Sequence, residues 1–162
     1  HCAGGPSWGA IEKCSPEQWH ATFDVHVHAA YYLCQAALPL MRPNRDGAII
    51  FVSSVAGIRG VPNAIAYATV KGAILQFTRC LARDVADDNI RDNCVAPGII
   101  RTRFHDNMTP EAKAHNLAAR IPLHREGTPE DVAEAVRLLV SNQFITGETI
   151  VVDGGTSMQV CR

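Results

Sequence analysis

Three residues within positions 53–71 could do chemistry together: Ser54, Tyr67 and Lys71. Tyr67 and Lys71 are four apart, so on a helix their side chains share one face. A free phenol titrates near pH ~10 and shuttles protons poorly at neutral pH. A lysine cation beside it favours the phenolate and lowers that value. A serine hydroxyl alongside can hold a substrate oxygen. Together the three could move a proton to or from a carbonyl or alcohol oxygen. The same Tyr–Lys spacing also occurs as an ordinary surface pair, so the flanking sequence must carry the rest of the argument.

That flanking sequence supplies positioning elements. Residues 47–54 (GAIIFVSS) form a short apolar run closed by hydroxyls, which predicts a buried strand whose end delivers Ser54. Residues 64–86 predict a helix with Val70, Ile74, Phe77, Leu81 and Val85 on its buried face. Between them, Gly57, Gly60 and Pro62 shape a loop. Its apolar members Val55, Ile58, Val61 and Ile65 are candidates for a substrate wall or for simple loop packing.

A serine at a strand end followed by Tyr-x-x-x-Lys resembles the short-chain dehydrogenase/reductase family. Four further blocks agree, in the family's order. His1-Cys2-Ala3-Gly4 is similar to its Asn-Asn-Ala-Gly element. Asn93-Cys94-Val95-Ala96-Pro97-Gly98, with Thr102 after it, is similar to its Pro-Gly motif. Phe144-Ile145-Thr146-Gly147 and Val152-Asp153-Gly154-Gly155 are similar to its C-terminal signature. The resemblance implies hydride transfer between NAD or NADP and a carbonyl or secondary alcohol. In that scheme Tyr67 is the proton donor or acceptor, Lys71 lowers its pKa and binds the nicotinamide ribose, and Ser54 orients the substrate oxygen. Ala3, Gly4, Pro97, Gly98, Ile100 and Thr102 join Tyr67 and Lys71 around the cofactor. His26 stands where the family usually has an asparagine that helps hold a water linked to the lysine, largely through its backbone carbonyl. His26 is therefore a catalytic candidate through that carbonyl, with a structural or substrate-tuning role as the alternative. Family enoyl reductases usually space Tyr and Lys more widely, which favours a ketoacyl-thioester reductase or a sugar or polyol dehydrogenase. The family also implies a homodimer or homotetramer.

Length and composition set the bounds. A chain of 162 residues predicts one domain, spanning 1–162. Its 47% hydrophobic and 19% charged residues are those of a soluble globular protein. A net charge of −1, with no basic stripe and no aromatic platform, points away from nucleic acid. No apolar run approaches the ~20 residues of a membrane helix, and a cytoplasmic location is expected. The cysteines at 2, 14, 34, 80, 94 and 161 form no C-x-x-C pair. Several lie in apolar context, so buried reduced thiols are expected rather than a disulfide framework or a metal site. His26 and His28 are two apart and point to different sides of a helix, which also argues against metal.

The chain opens without Met, on the element that ends the family's fourth strand. At about 30 residues per strand–helix unit, roughly 80–90 family residues would precede it, including the glycine-rich phosphate loop. The expectation is an α/β fold: the C-terminal half of a doubly wound, Rossmann-like parallel sheet, an incomplete domain that does not turn over alone. The alternative is a catalytically inactive fragment acting only as a structural or subunit-binding piece.

Ser15-Pro16-Glu17-Gln18 predicts a helix start, running toward Met41 with a break near 22–25 and a kink at Pro39. Ile90 to Ala96 predicts the next strand, but Asp92 falls where an apolar residue belongs. Either Arg91 or Asn93 compensates it, or it points out at a strand end, or it is an error or a damaging change. Residues 99–127 predict a half-ordered lid with a short helix from Thr109-Pro110-Glu111. Thr128-Pro129-Glu130-Asp131 starts a helix to about Val140, and 148–152 is the final strand.

Overall fold

The computed structural model describes residues 1–106 and 108–158. Cys161 lies outside the described residues. Three parallel strands make the sheet, in the order β1 (Gly47–Val52), β2 (Ile90–Pro97), β3 (Thr149–Val152). Phe51 sits opposite Cys94 and Ile49 opposite Asp92. These four side chains share one face, because strand residues alternate. Onto that face pack α2 (Ala29–Met41) and α3 (Ile65–Val85), through Ala30, Cys34, Ile74 and Leu75. Val70, Ile74 and Val85 are at most 2% exposed. At about 1.5–3 kcal/mol for each such side chain, this stripe fixes the roll of α3 and hence the direction of Tyr67 and Lys71.

α5 (Pro129–Ser141) covers the opposite face. It starts at a capping box between Thr128 and Asp131 and ends on Arg91. The buried Arg91 guanidinium donates to the carbonyls of Leu139 and of Val140 (2.7 Å). A helix leaves its last carbonyls without partners and favours a cation there, so a strand residue terminates this helix.

The amino-terminal helical run is continuous. α1 (Pro16–Phe23) begins at the Ser15 cap, whose hydroxyl accepts the Gln18 N–H. A π-helical turn, Asp24–His28, then leads directly into α2. The break expected near 22–25 is this wide turn, which sets His26 inward and His28 outward, paired with Asp24 at 2.8 Å. Pro39 lies within α2, which runs on to Met41. The segment after β2 is more regular than expected: α4 (Pro110–His115) passes into a second π-helical turn, Asn116–Arg120.

Asp92 does not point out at a strand end, and neither the Arg91 nor the Asn93 side chain compensates it. Arg91 and Asn93 point to the other face, and Asp92 is fully buried. Neither of its carboxylate oxygens has a partner among the described residues. Burial pushes its pKa up to about 8, against downward pulls from the His1 amino group and from the Asn93 backbone N–H. The group is accommodated as the neutral acid, which costs less than an unpaired buried charge.

Candidate active site

The site lies at the carboxyl ends of the strands, where ligands of open α/β sheets gather. β1 ends at Val52, and Ser53 and Ser54 continue it. Ser53, which sequence reasoning passed over, is buried, and its hydroxyl donates to the Lys71 carbonyl at 2.7 Å. The Val52 carbonyl accepts from the Lys71 ammonium at 2.8 Å. Two residues at the end of one strand therefore hold both the backbone and the side chain of Lys71. Gly57 allows the close approach: a Cβ there would meet the Lys71 carbonyl carbon at 2.6 Å. The adjacent hydroxyls of the Ser53–Ser54 pair were the available signal for this second role.

Ser54 caps the turn Val55–Gly57, its oxygen accepting the Ala56 N–H at 3.2 Å. The same hydroxyl acts on the Tyr67 phenol. Burial raises the Tyr67 pKa, and hydrogen bonding with Ser54 pulls it partly back. Lys71 is only 7% exposed, and burial brings its pKa down to about 8. Its ammonium stands 5.6 Å from the Tyr67 ring centre. The ammonium is turned to the Val52 carbonyl, and desolvation of the phenol dominates.

His26 meets the Tyr67 ring edge-on at 5.8 Å. It is buried, and its Nε2–H donates to the Gly5 carbonyl at 3.2 Å, which leaves Nδ1 unprotonated in the neutral ring. Burial and then the Lys71 cation lower its pKa. The ring fills the space beside Gly4, where a Cβ would lie 2.1 Å from His26 Cε1. Ala3 and Gly4 follow His1, whose terminal amine donates to the Ile50 carbonyl at 3.0 Å, so they run beside the end of β1.

Across the strand ends, Pro97 closes β2 and the Gly98 N–H donates to the Val152 carbonyl at 3.0 Å. A Cβ on Gly98 would strike Asp153 at 2.7 Å. Asp153 accepts N–H groups from Gly155 and Ser157. The Val152–Gly155 block thus builds the turn that seats Gly98. The Phe144–Gly147 block is bonded to β2: Asn93 donates to the Ile145 carbonyl at 2.8 Å, and the Gly147 N–H meets the Asp92 carbonyl at 2.7 Å. Ile100 is buried and bridged to Gly127, and Thr102 opens on a polar cleft with Arg101, His105 and Glu126.

The structure therefore brings Ser54, Tyr67, Lys71 and His26 together, with Gly4 against His26 and Ala3 just before Gly4 in the chain. Pro97, Gly98, Ile100 and Thr102 form the neighbouring strand-end loop. Of the loop residues, Val61 packs beside Tyr67, whereas Ile58 lines a separate cleft with Leu75 and Arg79. Two aromatic rings at the site had no sequence signal: Trp8, 6.4 Å from Tyr67, and Phe104, 5.9 Å from it. Both lie on irregular segments, and periodicity says nothing about where such side chains go. Among the described residues, Cys2, Cys14, Cys34, Cys80 and Cys94 are free thiols, with Cys34 and Cys94 buried.

Known proteins give this geometry a family. A family model described as enoyl-(acyl carrier protein) reductase matches residues 1–157. The chain is 39% identical over 147 residues to the 3-oxoacyl-[acyl-carrier-protein] reductase FabG of Chlamydia muridarum, covering 90% of this chain and 59% of that protein. The chain thus spans about three fifths of the length of the curated relative it matches. Among solved structures, a short-chain type dehydrogenase/reductase from Mycobacterium ulcerans superposes with a TM-score of 0.93 at 31% identity, over 99% of this chain and 60% of the other. ElxO with NADP bound superposes with a TM-score of 0.87 at 30% identity, over 97% of this chain and 65% of the other. The α/β fold is Rossmann-like, and no helix among the described residues is long and apolar enough to cross a membrane. The chain belongs to the short-chain dehydrogenase/reductase family.

Proposed function

We propose that the protein transfers a hydride between NAD or NADP and a carbonyl or secondary alcohol, with Ser54, Tyr67 and Lys71 as its catalytic residues. The observation that carries this reading is the burial of Tyr67 and Lys71 side by side at the end of β1, with the Ser54 hydroxyl on the phenol. The donor set fits a nicotinamide riboside. An ammonium has three N–H donors. Among the described residues Lys71 uses one, on Val52, which leaves two for ribose hydroxyls. Ala3, Gly4, Pro97, Gly98, Ile100 and Thr102 are the proposed flanks of the cofactor, and the NADP held by ElxO supports a dinucleotide of this kind.

The bound dinucleotide supplies or takes the hydride. Ser54 holds the substrate oxygen beside the phenol. In reduction Tyr67 gives its proton to that oxygen, and in oxidation it takes the proton back. Because burial raises its pKa, Tyr67 holds its proton at neutral pH, the form that reduction needs. Lys71 carries its charge at neutral pH and stabilises the phenolate left behind. His26 positions the Gly4–Gly5 segment through the Gly5 bond and fixes the tilt of the Tyr67 ring. The exposed Tyr31, Tyr32 and Leu33 of α2 support assembly into a homodimer or homotetramer. A cytoplasmic location is consistent with the free thiols.

The test is spectrophotometric: oxidation of NADH or NADPH by a ketone panel, with the intact protein and its Tyr67→Phe variant. Ketone-dependent oxidation that the variant loses supports the reading; equal rates in both overturn it.

A further inference from the structure

We propose that Trp8 and Phe104 select the substrate, and that they do so for compounds whose reacting carbon carries a planar apolar group, an aryl ketone or its alcohol. This inference rests on the reading of Tyr67 as the group that meets the reacting oxygen. Both rings stand within aromatic contact of Tyr67, at 6.4 and 5.9 Å between centres. Both nevertheless keep much of their surface in solvent, 57% for Trp8 and 36% for Phe104. Aromatic surface open beside a reactive group is the usual make-up of a ligand pocket wall.

The Trp8 wall is held in place. The Gly9 N–H donates to the Asn63 carbonyl at 2.7 Å, and the Ile65 N–H reaches back to the Gly9 carbonyl. Gln18 Nε2 donates to the Trp8 carbonyl at 2.9 Å. The backbone around Trp8 is thereby tied to α1 and to the first turn of α3, the helix that carries Tyr67. Phe104 arrives from the other side of the sequence, on the single turn Arg103–His105, with its ring on His105 at 5.1 Å. Ala56 and Ala64 are buried with Tyr67, and Val61 and Ala68 pack on them, while Ser54, Lys71 and His26 are its polar neighbours. A polyol would leave its hydroxyls unpaired against the Trp8 and Phe104 rings, whereas an aryl group gains ring contacts on them. The geometry thus favours aryl carbonyl compounds over sugars.

The test uses the intact protein and reads a ratio. The kcat/KM for acetophenone relative to butanone should fall about tenfold in Trp8→Ala and in Phe104→Ala. Trp8→Phe, which keeps a ring, should retain most of the preference. A ratio unchanged by both alanine variants overturns the proposal. A second readout needs no turnover. The chain has two tryptophans, so a Trp19→Phe background leaves Trp8 as the reporter. Acetophenone should then quench its emission saturably, and Phe104→Ala should weaken that binding about tenfold. Quenching that never saturates overturns the proposal. Saturable quenching without any hydride transfer would overturn the proposed reaction and leave the aromatic wall standing.

Discussion

Lys71 and Asp92 are both buried ionisable groups, and both are displaced to about pH 8 from opposite ends of the scale. Their surroundings differ. Lys71 has a carbonyl partner in Val52, a carbonyl held by Ser53, and a phenol one turn away. Asp92 sits on the same sheet, opposite Ile49, with both oxygens without a side-chain partner and the His1 amino group and the thiols of Cys34 and Cys94 as its titratable neighbours. A buried charge with a built surround serves chemistry. A buried acid without one is a cost that the fold tolerates by keeping its proton.

The largest break in this comparison comes from the side with the surround. Tyr67→Phe should lower turnover by about 10²–10⁴-fold, the usual loss for a general acid–base group, with cofactor affinity changed much less. Steady-state kinetics and dinucleotide titration check both parts. Lys71→Ala should reduce turnover and also weaken dinucleotide binding, because its ammonium serves both; isothermal calorimetry separates the two effects.

On the other side, Asp92→Val should stabilise the protein by about 1–3 kcal/mol near pH ~4, the cost of an unsatisfied buried neutral group, and by more at about pH 8. The sign of the pH dependence follows from proton counts. Folded Asp92 holds its proton up to about pH 8, while the unfolded group loses it near 3.8. The folded state therefore binds more protons between those values, and stability falls as pH rises through that window, by about 1.4 kcal/mol per unit. Lys71 acts in the reverse sense. Its folded pKa is about 8 against 10.5 unfolded, so its share of stability is regained as pH rises from 8 to 10.5. Thermal melts across pH should lose the acid-side slope in both Asp92→Asn and Asp92→Val, but only the valine should also raise the plateau. A slope that persists in Asp92→Val would mean that another group titrates.

The smallest effect is expected at His26. His26→Asn should change rates less than about tenfold, if the imidazole only positions Gly4–Gly5 and Tyr67. A new inflection in the pH–rate profile would instead place the imidazole in the proton path.

The two regions also differ in how far they could be read from the sequence. The strand at 47–54, the helix at 64–86 and the order of the motif blocks carried the arrangement of the site, because their periodicity is set by one dominant burial face. Their bounds moved by a residue or two, to Gly47–Val52 and Ile65–Val85. Asp92 was visible as a misfit, but its resolution was not. Strand alternation puts it opposite Ile49, and no local pattern tells that Arg91 is taken by the α5 carbonyls. The π-helical turn at Asp24–His28 was read as a break, since an extra residue per turn disturbs the 3.6 period without ending the helix. Ser53 was masked by its neighbour Ser54, and Trp8 and Phe104 by their loops.

The most direct measurement follows the hydride. With NADH or NADPH deuterated at the transferring position of the nicotinamide, the intact protein should place deuterium on the carbinol carbon of the product. Tyr67→Phe should bind the same dinucleotide and transfer it at least about 10²-fold more slowly in a single turnover. Transfer by Tyr67→Phe at the unmodified rate would contradict the assignment of the proton to Tyr67, and with it the account of why Tyr67 and Lys71 are buried together.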